Sequence, residues 1–403
     1  MPNTDKNHST HIEDSVLQGP KKIQMAILFF EGLLNNSSSL TKSLKIDGAP
    51  VVLAGSNAVG ITRPFVAAKS FLNNGKVATN EDEIQELFGD RPGLASKMKK
   101  LLELLPELQI PEGEIWRGDL LFSKDTLQNE GGNNYFHPNT LVYAPNSQSE
   151  IDAVNQADIG IIWHTYYTGE TLTSLTAHAD LDVYRLKPST SVFTLSPLFK
   201  QEELSIEETF LIKSTLATVK ERFRGLMAGS VGATYAEVLK NKVFLEHLTT
   251  YLNHLIRQGK GIYQFSPTDL AYSWIPQRYE QKIEGLKTEK FKTKWKNERD
   301  SYIDAARFIE PVLGQMISLM KALVHVKALF IQNFNSLKDL PFMTFYKKKI
   351  DDRAVLVKTA HEGFVITDKK GNSFKLVDRE EFTKINFGVD TVRGWKEESK
   401  QVQ

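Results

Sequence analysis

Lys45-Ile46-Asp47-Gly48 sets a lysine two residues before an aspartate, and Glu362-Gly363-Phe364-Val365-Ile366 sets a carboxylate beside a glycine at the head of an apolar run. A lysine amine attacks covalently only when neutral, and at an ordinary pKa of ~10.4 it is almost wholly protonated at pH 7. Partial desolvation and neighbouring cations disfavour the charged form and free the nucleophile. The attack such a lysine could make is on the α-phosphate of a nucleoside triphosphate, with pyrophosphate leaving. That step is mainly positioning and charge neutralisation. It needs carboxylates to hold Mg2+ (or Mn2+) and further lysines against phosphate oxygens. Asp119, in Trp116-Arg117-Gly118-Asp119-Leu120-Leu121, and Glu362 are the candidate metal carboxylates. Lys69 and Lys375 are the candidate phosphate lysines, and Trp163, Tyr166 and Tyr167 are aromatic side chains able to stack on a purine.

These residues must be carried by regular elements. Ile23, Ile27, Phe30 and Leu34 recur at helical spacing, predicting an amphipathic helix from Lys21 to Leu34. Leu44–Ala54 reads as a strand pair or bent strand around Gly48, and Phe65–Lys69, Ile115–Phe122, Thr140–Ala144 and Ile159–Tyr167 read as further strands. Glu81–Leu105 reads as helix. From about Phe199 to Phe345 the chain is mostly helical, and Phe308, Val312, Met316, Leu319, Leu323 and Val326 step at three and four like a core-facing stripe. Strand character returns at Ala354–Val357, Gly363–Thr367 and Ser373–Val377, the last two joined by Asp368-Lys369-Lys370-Gly371-Asn372, a hairpin-turn composition. The fold class expected is α+β: a β-rich domain over 1–199, a helical insertion over 200–345, and completing strands over 346–403.

Composition narrows the class. The 403 residues suffice for two or three domains, and 41% hydrophobic with 25% charged residues is ordinary for a globular chain. Cysteine is absent, which removes disulfides and thiolate metal sites. No apolar run approaches the ~18 residues of a membrane span, and Met1–Thr10 lacks the apolar stretch of a secretory signal. The expectation is a cytoplasmic protein with no membrane partner. A net charge of +1 means that any nucleic-acid surface is local. There is no Walker A loop, G-x-G-x-x-G fingerprint, G-x-S-x-G elbow or H-E-x-x-H pair.

In order along the chain, the motifs resemble those of the covalent nucleotidyltransferase superfamily: ATP-dependent DNA ligases, RNA ligases and mRNA capping guanylyltransferases. The resemblance implies an antiparallel-sheet adenylation domain, here with a large helical insertion. It implies that Lys45 is nucleotidylated and that Asp47 is its motif partner. By the same resemblance, Ala68-Lys69-Ser70 is the short basic motif, and Gly118-Asp119-Leu120 is the third motif with Asp in place of the usual Glu. Ile162-Trp163-His164-Thr165-Tyr166 is the strand bordering the nucleotide, Glu362-Gly363 the metal-associated motif, and Lys375 the fifth-motif lysine. Lys375 follows Glu362 by thirteen positions, a separation similar to that in phage RNA ligases. The arrangement also resembles uncharacterised proteins of tailed phages, which would put the chain in the host cytoplasm. Three departures stand out: Ala49-Pro50 where an arginine often follows, Lys375-Leu376-Val377 where K-x-K is usual (Lys384 being a substitute cation), and the shorter Asp119.

What the resemblance implies is an ATP- and Mg2+-dependent polynucleotide ligase working through lysyl-AMP. RNA is favoured over DNA as partner, because only 28 residues follow Lys375, too few for the OB-fold domain usual in DNA ligases and capping enzymes. A DNA nick-sealing ligase, and a non-catalytic phage binding or assembly protein on the same fold, are the alternatives. The basic run Lys282–Arg299, with Lys290, Lys292, Lys294 and Lys296 and interleaved Phe291 and Trp295, is the candidate nucleic-acid surface, with a solvated helix face as the plain alternative. Core packing competes with base stacking for Trp163, His164 reads as a structural histidine, and His11-Ile12-Glu13-Asp14 reads as a helix start rather than a metal cluster.

Overall fold

In a computed structural model the chain is an α+β protein with mainly antiparallel sheets. Residues 9–46, 48–130, 133–178, 181–351 and 353–394 are described. Asp47 lies outside them.

The chain opens with β1 (Thr10–His11), α1 (Ser15–Gln18), α2 (Pro20–Leu34), β2 (Leu40–Lys45), β3 (Val51–Gly55) and β4 (Phe65–Ala68). There follow α3 (Phe71–Asn74), α4 (Glu81–Phe88), α5 (Pro92–Leu108), β5 (Glu114–Ser123), β6 (Gln128–Glu130), β7 (Asn133–Tyr135) and β8 (Leu141–Pro145). Next come α6 (Gln148–Gln156), β9 (Ile159–Thr168), β10 (Thr176–His178) and β11 (Val192–Leu195). The helical block is α7 (Ile206–Leu226), α8 (Gly229–Lys240), α9 (Lys242–Arg257), α10 (Pro267–Asp269), α11 (Ile275–Glu284), α12 (Glu289–Phe308) and α13 (Glu310–Asn335). The chain ends with β12 (Phe342–Ile350), β13 (Arg353–Lys358), β14 (Gly363–Asp368), β15 (Ser373–Leu376), α14 (Arg379–Phe387) and β16 (Thr391–Val392).

Two sheets frame the site. One runs β1-β15-β14-β2, and the other runs β10-β9-β5-β3-β4 with β11 beside β9. The expected strand pair around Gly48 is therefore not a hairpin. β2 belongs to the first sheet and β3 to the second, and 46–50 carries the chain between them. The first sheet buries Leu44, Phe364, Ile366, Phe374 and Leu376 on one face, against α2 and α13. The second packs Trp116, Leu120, Ile161 and Trp163 beneath α5. Alternation along each strand turns the other faces toward one another. A third sheet, β13-β12-β16 with β8 on β12, lies outside this pair.

Four sequence expectations change. The helical block shares one hydrophobic core with α2, β2 and β14, so it is built into the domain rather than appended to it. The helical region, expected to run to about Phe345, ends earlier, and Phe342–Ile350 is strand β12. The 81–105 helix is two helices broken before Pro92, where the pyrrolidine fixes a helix start. Phe308 is 82% exposed at the end of α12, and the core stripe begins at Val312 in α13. By length and apolarity α13 passes as a membrane span, yet Leu313, Met316, Met320, Leu323 and Phe330 are buried core side chains.

Candidate active site between the two sheets

Lys45 ends β2, and its register partner across the sheet is Gly363. Lys375 on β15 sits opposite Val365, and His11 on β1 sits opposite Lys375. Alternation then aims Ser43, Lys45, Val365, Thr367, Ser373 and Lys375 at the second sheet. Arg117 and Asp119, two apart on β5, face them from the other side. Between them lies a cavity of about 280 Å³, near the lower end of the volumes that hold small-molecule ligands (~300 Å³ and upward).

β9 contributes more than strict alternation allows. Its register against β5 shifts between Arg117 and Gly118, so that Thr165 pairs Arg117 and Trp163 pairs Gly118. His164 is the extra residue of this bulge, and bulges re-aim side chains. Ile162, His164, Thr165 and Tyr167 all line the cavity. Trp163 points the other way. It is fully buried, edge-on to Trp116 at 6.0 Å between ring centroids. Trp163 is a core residue and no base-stacking platform. Tyr166 also leaves the cavity, stacking on His178 at 4.5 Å. Tyr167 remains, its hydroxyl accepting a 3.2 Å bond from Arg117 Nη1.

Two glycines permit the approach of these elements. A Cβ on Gly48 would lie 2.5 Å from Asp119 Cβ, so glycine lets the loop after Lys45 rest on β5. There Ala49 N–H donates to Leu120 O at 3.0 Å. Gly363 has φ +151°, and a Cβ would run into the Leu376 carbonyl. Glu362, just before it, is delivered to Lys45, whose Nζ donates to Glu362 Oε1 across 317 positions of sequence. The carboxylate side chain is only 6% exposed there.

Cations gather around this pair. Lys375 is held below the ordinary lysine range by burial first, then by Lys45 and Lys69. Lys69 stands exposed in the turn after β4 and acts on Lys375 through its field, without lining the cavity. His164 is held down to about 3 by burial, with Arg117 and Lys45 adding to it. Its imidazole is therefore neutral at pH 7, so its 3.8 Å approach to Asp119 Oδ2 is no ion pair. No cluster of three or more acidic or histidine ligands exists among the described residues. Among the described residues, Asp119 lines the first cavity and Glu362 the one beside it. One or two carboxylates plus substrate phosphates is the usual Mg2+ arrangement.

A second cavity of about 350 Å³ adjoins the first through Lys45 and Lys375, and Glu362 lines it. His11 lines it, as do Asn253 and Arg257 of α9 and Arg379 just ahead of the α14 side chains Phe382 and Asn386. The helical block thus walls the site through α9. Lys384, the expected substitute cation of the fifth motif, does not line either cavity, and Arg257 and Arg379 join Lys45 and Lys375 on the wall of the second.

The expected 282–299 surface is not one surface. Lys290, Lys292, Lys294 and Lys296 fall on α12, where alternate residues are ~200° apart. Lys290 and Lys294 lie on one flank, Lys292 and Lys296 on the other. Lys292 is paired with Glu289 at 3.0 Å. Sequence reading gave no site role to Arg117 or Arg257, and took His164 as structural and His11 as part of a helix start, whereas all four line the two cavities. Arg117 was legible from its two-residue offset to Asp119; the bulge and the α9 docking left no local signal.

The chain belongs to DUF6267. That family of unknown function matches over residues 5–391 and so takes in both sheets, the helical block and all the site residues above. No curated protein and no solved structure matches the chain.

Proposed function

We propose that this DUF6267 chain is an ATP-dependent polynucleotide ligase, acting most naturally on RNA, with the adenylation fold of the covalent nucleotidyltransferases. The observation that carries the reading is the contact of Lys45 with Glu362 at the edge of a cavity that also presents Lys375, Arg117 and Asp119. Lysine, carboxylate and phosphate-binding cations meet there from remote parts of the chain.

In this reading Lys45 Nζ forms a P–N bond to the α-phosphorus of ATP, the α–β bridging P–O bond breaks, and pyrophosphate leaves. Glu362 is placed to accept the proton that the ammonium must lose first. Ile162, Val365 and Tyr167 offer the base an apolar wall in place of Trp163. Lys375 and Arg117 face the phosphates. Asp119, with Glu362 after that proton has passed to solvent, would hold Mg2+, which supplies charge neutralisation when bound. AMP then passes to a 5′-phosphate, and a 3′-hydroxyl displaces it as the ends join. Val377, where the second lysine of K-x-K is usual, is 3% exposed beside the second cavity, and Arg257 on the same wall makes up the missing charge.

The test is intact mass after incubation with ATP and Mg2+. Wild type gains one AMP, and Lys45→Ala gains none. No gain with ATP, GTP or NAD+ would overturn the reading in favour of a non-catalytic binding protein. Comparing single-stranded RNA with nicked duplex DNA as substrate then separates RNA ligation from nick sealing.

A further inference from the structure

The second cavity gathers cations that the chain itself leaves only partly answered. Lys45, Lys375, Arg257 and Arg379 line it, and Glu362 is the one carboxylate lining it among the described residues. Two of the four cations are committed within the chain. Lys45 donates to Glu362, and Arg379 reaches Asp14 at 3.0 Å and Asn253 at 2.5 Å. Lys375 and Arg257 form no ion pair among the described residues. Lys375 is half-buried on β15 and feels Glu362 through its field alone. Arg257 is exposed in the last turn of α9, its guanidinium carbon 5.8 Å from the centre of the Phe387 ring. Stacking of this kind uses the face of a guanidinium and leaves its N–H edge to donate.

An arginine in the last turn of a helix can serve the helix dipole alone, and one exposed aromatic ring is ordinary on a protein surface. Neither reason covers Lys375, which lies on a strand, where burial works against its charge. Nor does either bring α9, α14 and β15 to one concave wall beside Lys45. An ammonium and a guanidinium fork converging on a cavity suit a phosphate group. At about 350 Å³ the cavity is of small-ligand size, more than an isolated phosphate fills. It opens at Phe387, which is 55% exposed. A ring there can stack on a nucleic-acid base of any sequence. The outer phosphates of a nucleotide need no such ring, whereas the end of a strand does.

We infer that the second cavity binds the 5′-terminal phosphate of a single-stranded RNA through Arg257 and Lys375, with the terminal base against Phe387. The choice of RNA end rests on the ligase reading, in which that phosphate accepts AMP from Lys45 and must lie beside it. The group that recognises the end then comes from the helical block, not from the two sheets.

The test uses the full chain without ATP and two 3′-labelled single-stranded RNAs of one sequence, one 5′-phosphorylated and one with a 5′-hydroxyl. Fluorescence anisotropy gives the two affinities. Wild type prefers the phosphorylated RNA by about tenfold. Arg257→Gln, at an exposed position, brings the two affinities to within about twofold by weakening the phosphorylated RNA alone. Lys294→Gln, on α12 and away from both cavities, keeps the preference. Equal affinity of wild type for the two RNAs overturns the inference, as does a preference that survives Arg257→Gln. If that surviving preference comes with a higher ATP requirement for AMP gain, the cavity belongs to the outer phosphates of ATP instead. A wild-type chain that takes no AMP but shows the Arg257-dependent preference removes the ligase reading and leaves the phosphate site standing.

Discussion

Three histidines sit where burial refuses them a proton. His11 and His164 are held down to about 3, and His361, bonded to Thr344 Oγ1 at 2.7 Å, to about 4. Each folded value lies below the unfolded one near 6.5, so the unfolded chain binds protons that the folded chain does not. Their contribution to stability is complete above pH ~6.5 and is lost as pH falls toward 4 and 3. Urea midpoints measured from pH 8 to pH 4.5 should drop below pH 6.5, and His361→Asn should lower the proton uptake on unfolding by about one. None of this was legible in the sequence, where a histidine beside a tryptophan looks the same in a core as in a cavity. Lys45, Asp119, Glu362 and Lys375 were singled out by motif order along the chain, and the structure brings them to two adjoining cavities.

At the scale of elements, the site depends on strands that break their own regularity. Gly363 occupies a backbone region closed to side chains and lies against the Leu376 carbonyl. Gly363→Ala should cost about 2–3 kcal/mol in urea unfolding and should abolish the AMP gain by displacing Glu362. The hairpin β14–β15 was readable from its turn residues, and its strands pair with Ile366 against Phe374. The β9 bulge was not readable, because a bulge is fixed by the partner strand. Strict alternation would have sent His164 and Tyr166 to one face and Trp163, Thr165 and Tyr167 to the other; the extra residue instead brings His164, Thr165 and Tyr167 together. The β12 strand was missed because Lys347, Lys348 and Lys349 interrupt the apolar pattern that marks an inner strand.

Across the whole molecule, a buried charge network ties the ends of the chain to the helical block. Lys327 on α13 donates to Glu13 at 2.8 Å, both nearly inaccessible to solvent. Arg379 reaches Asp14 at 3.0 Å and Asn253 of α9 at 2.5 Å. Burial opposes the Glu13 charge most strongly, and Lys327 together with His11 and Arg379 more than offsets it, leaving its carboxyl below the usual range. Lys327→Met should cost about 3–5 kcal/mol by stranding that carboxylate, while Glu13→Gln with Lys327→Met should recover most of it; thermal melts of both variants decide this. The sequence by itself determined the helical block, most strands and the candidate site residues, because periodicity and residue chemistry are local properties. Only the tertiary structure decided that Lys45 meets Glu362, that α9 walls the site and that α12 splits its lysines. Those outcomes depend on which faces pack together, and packing is settled between segments hundreds of residues apart.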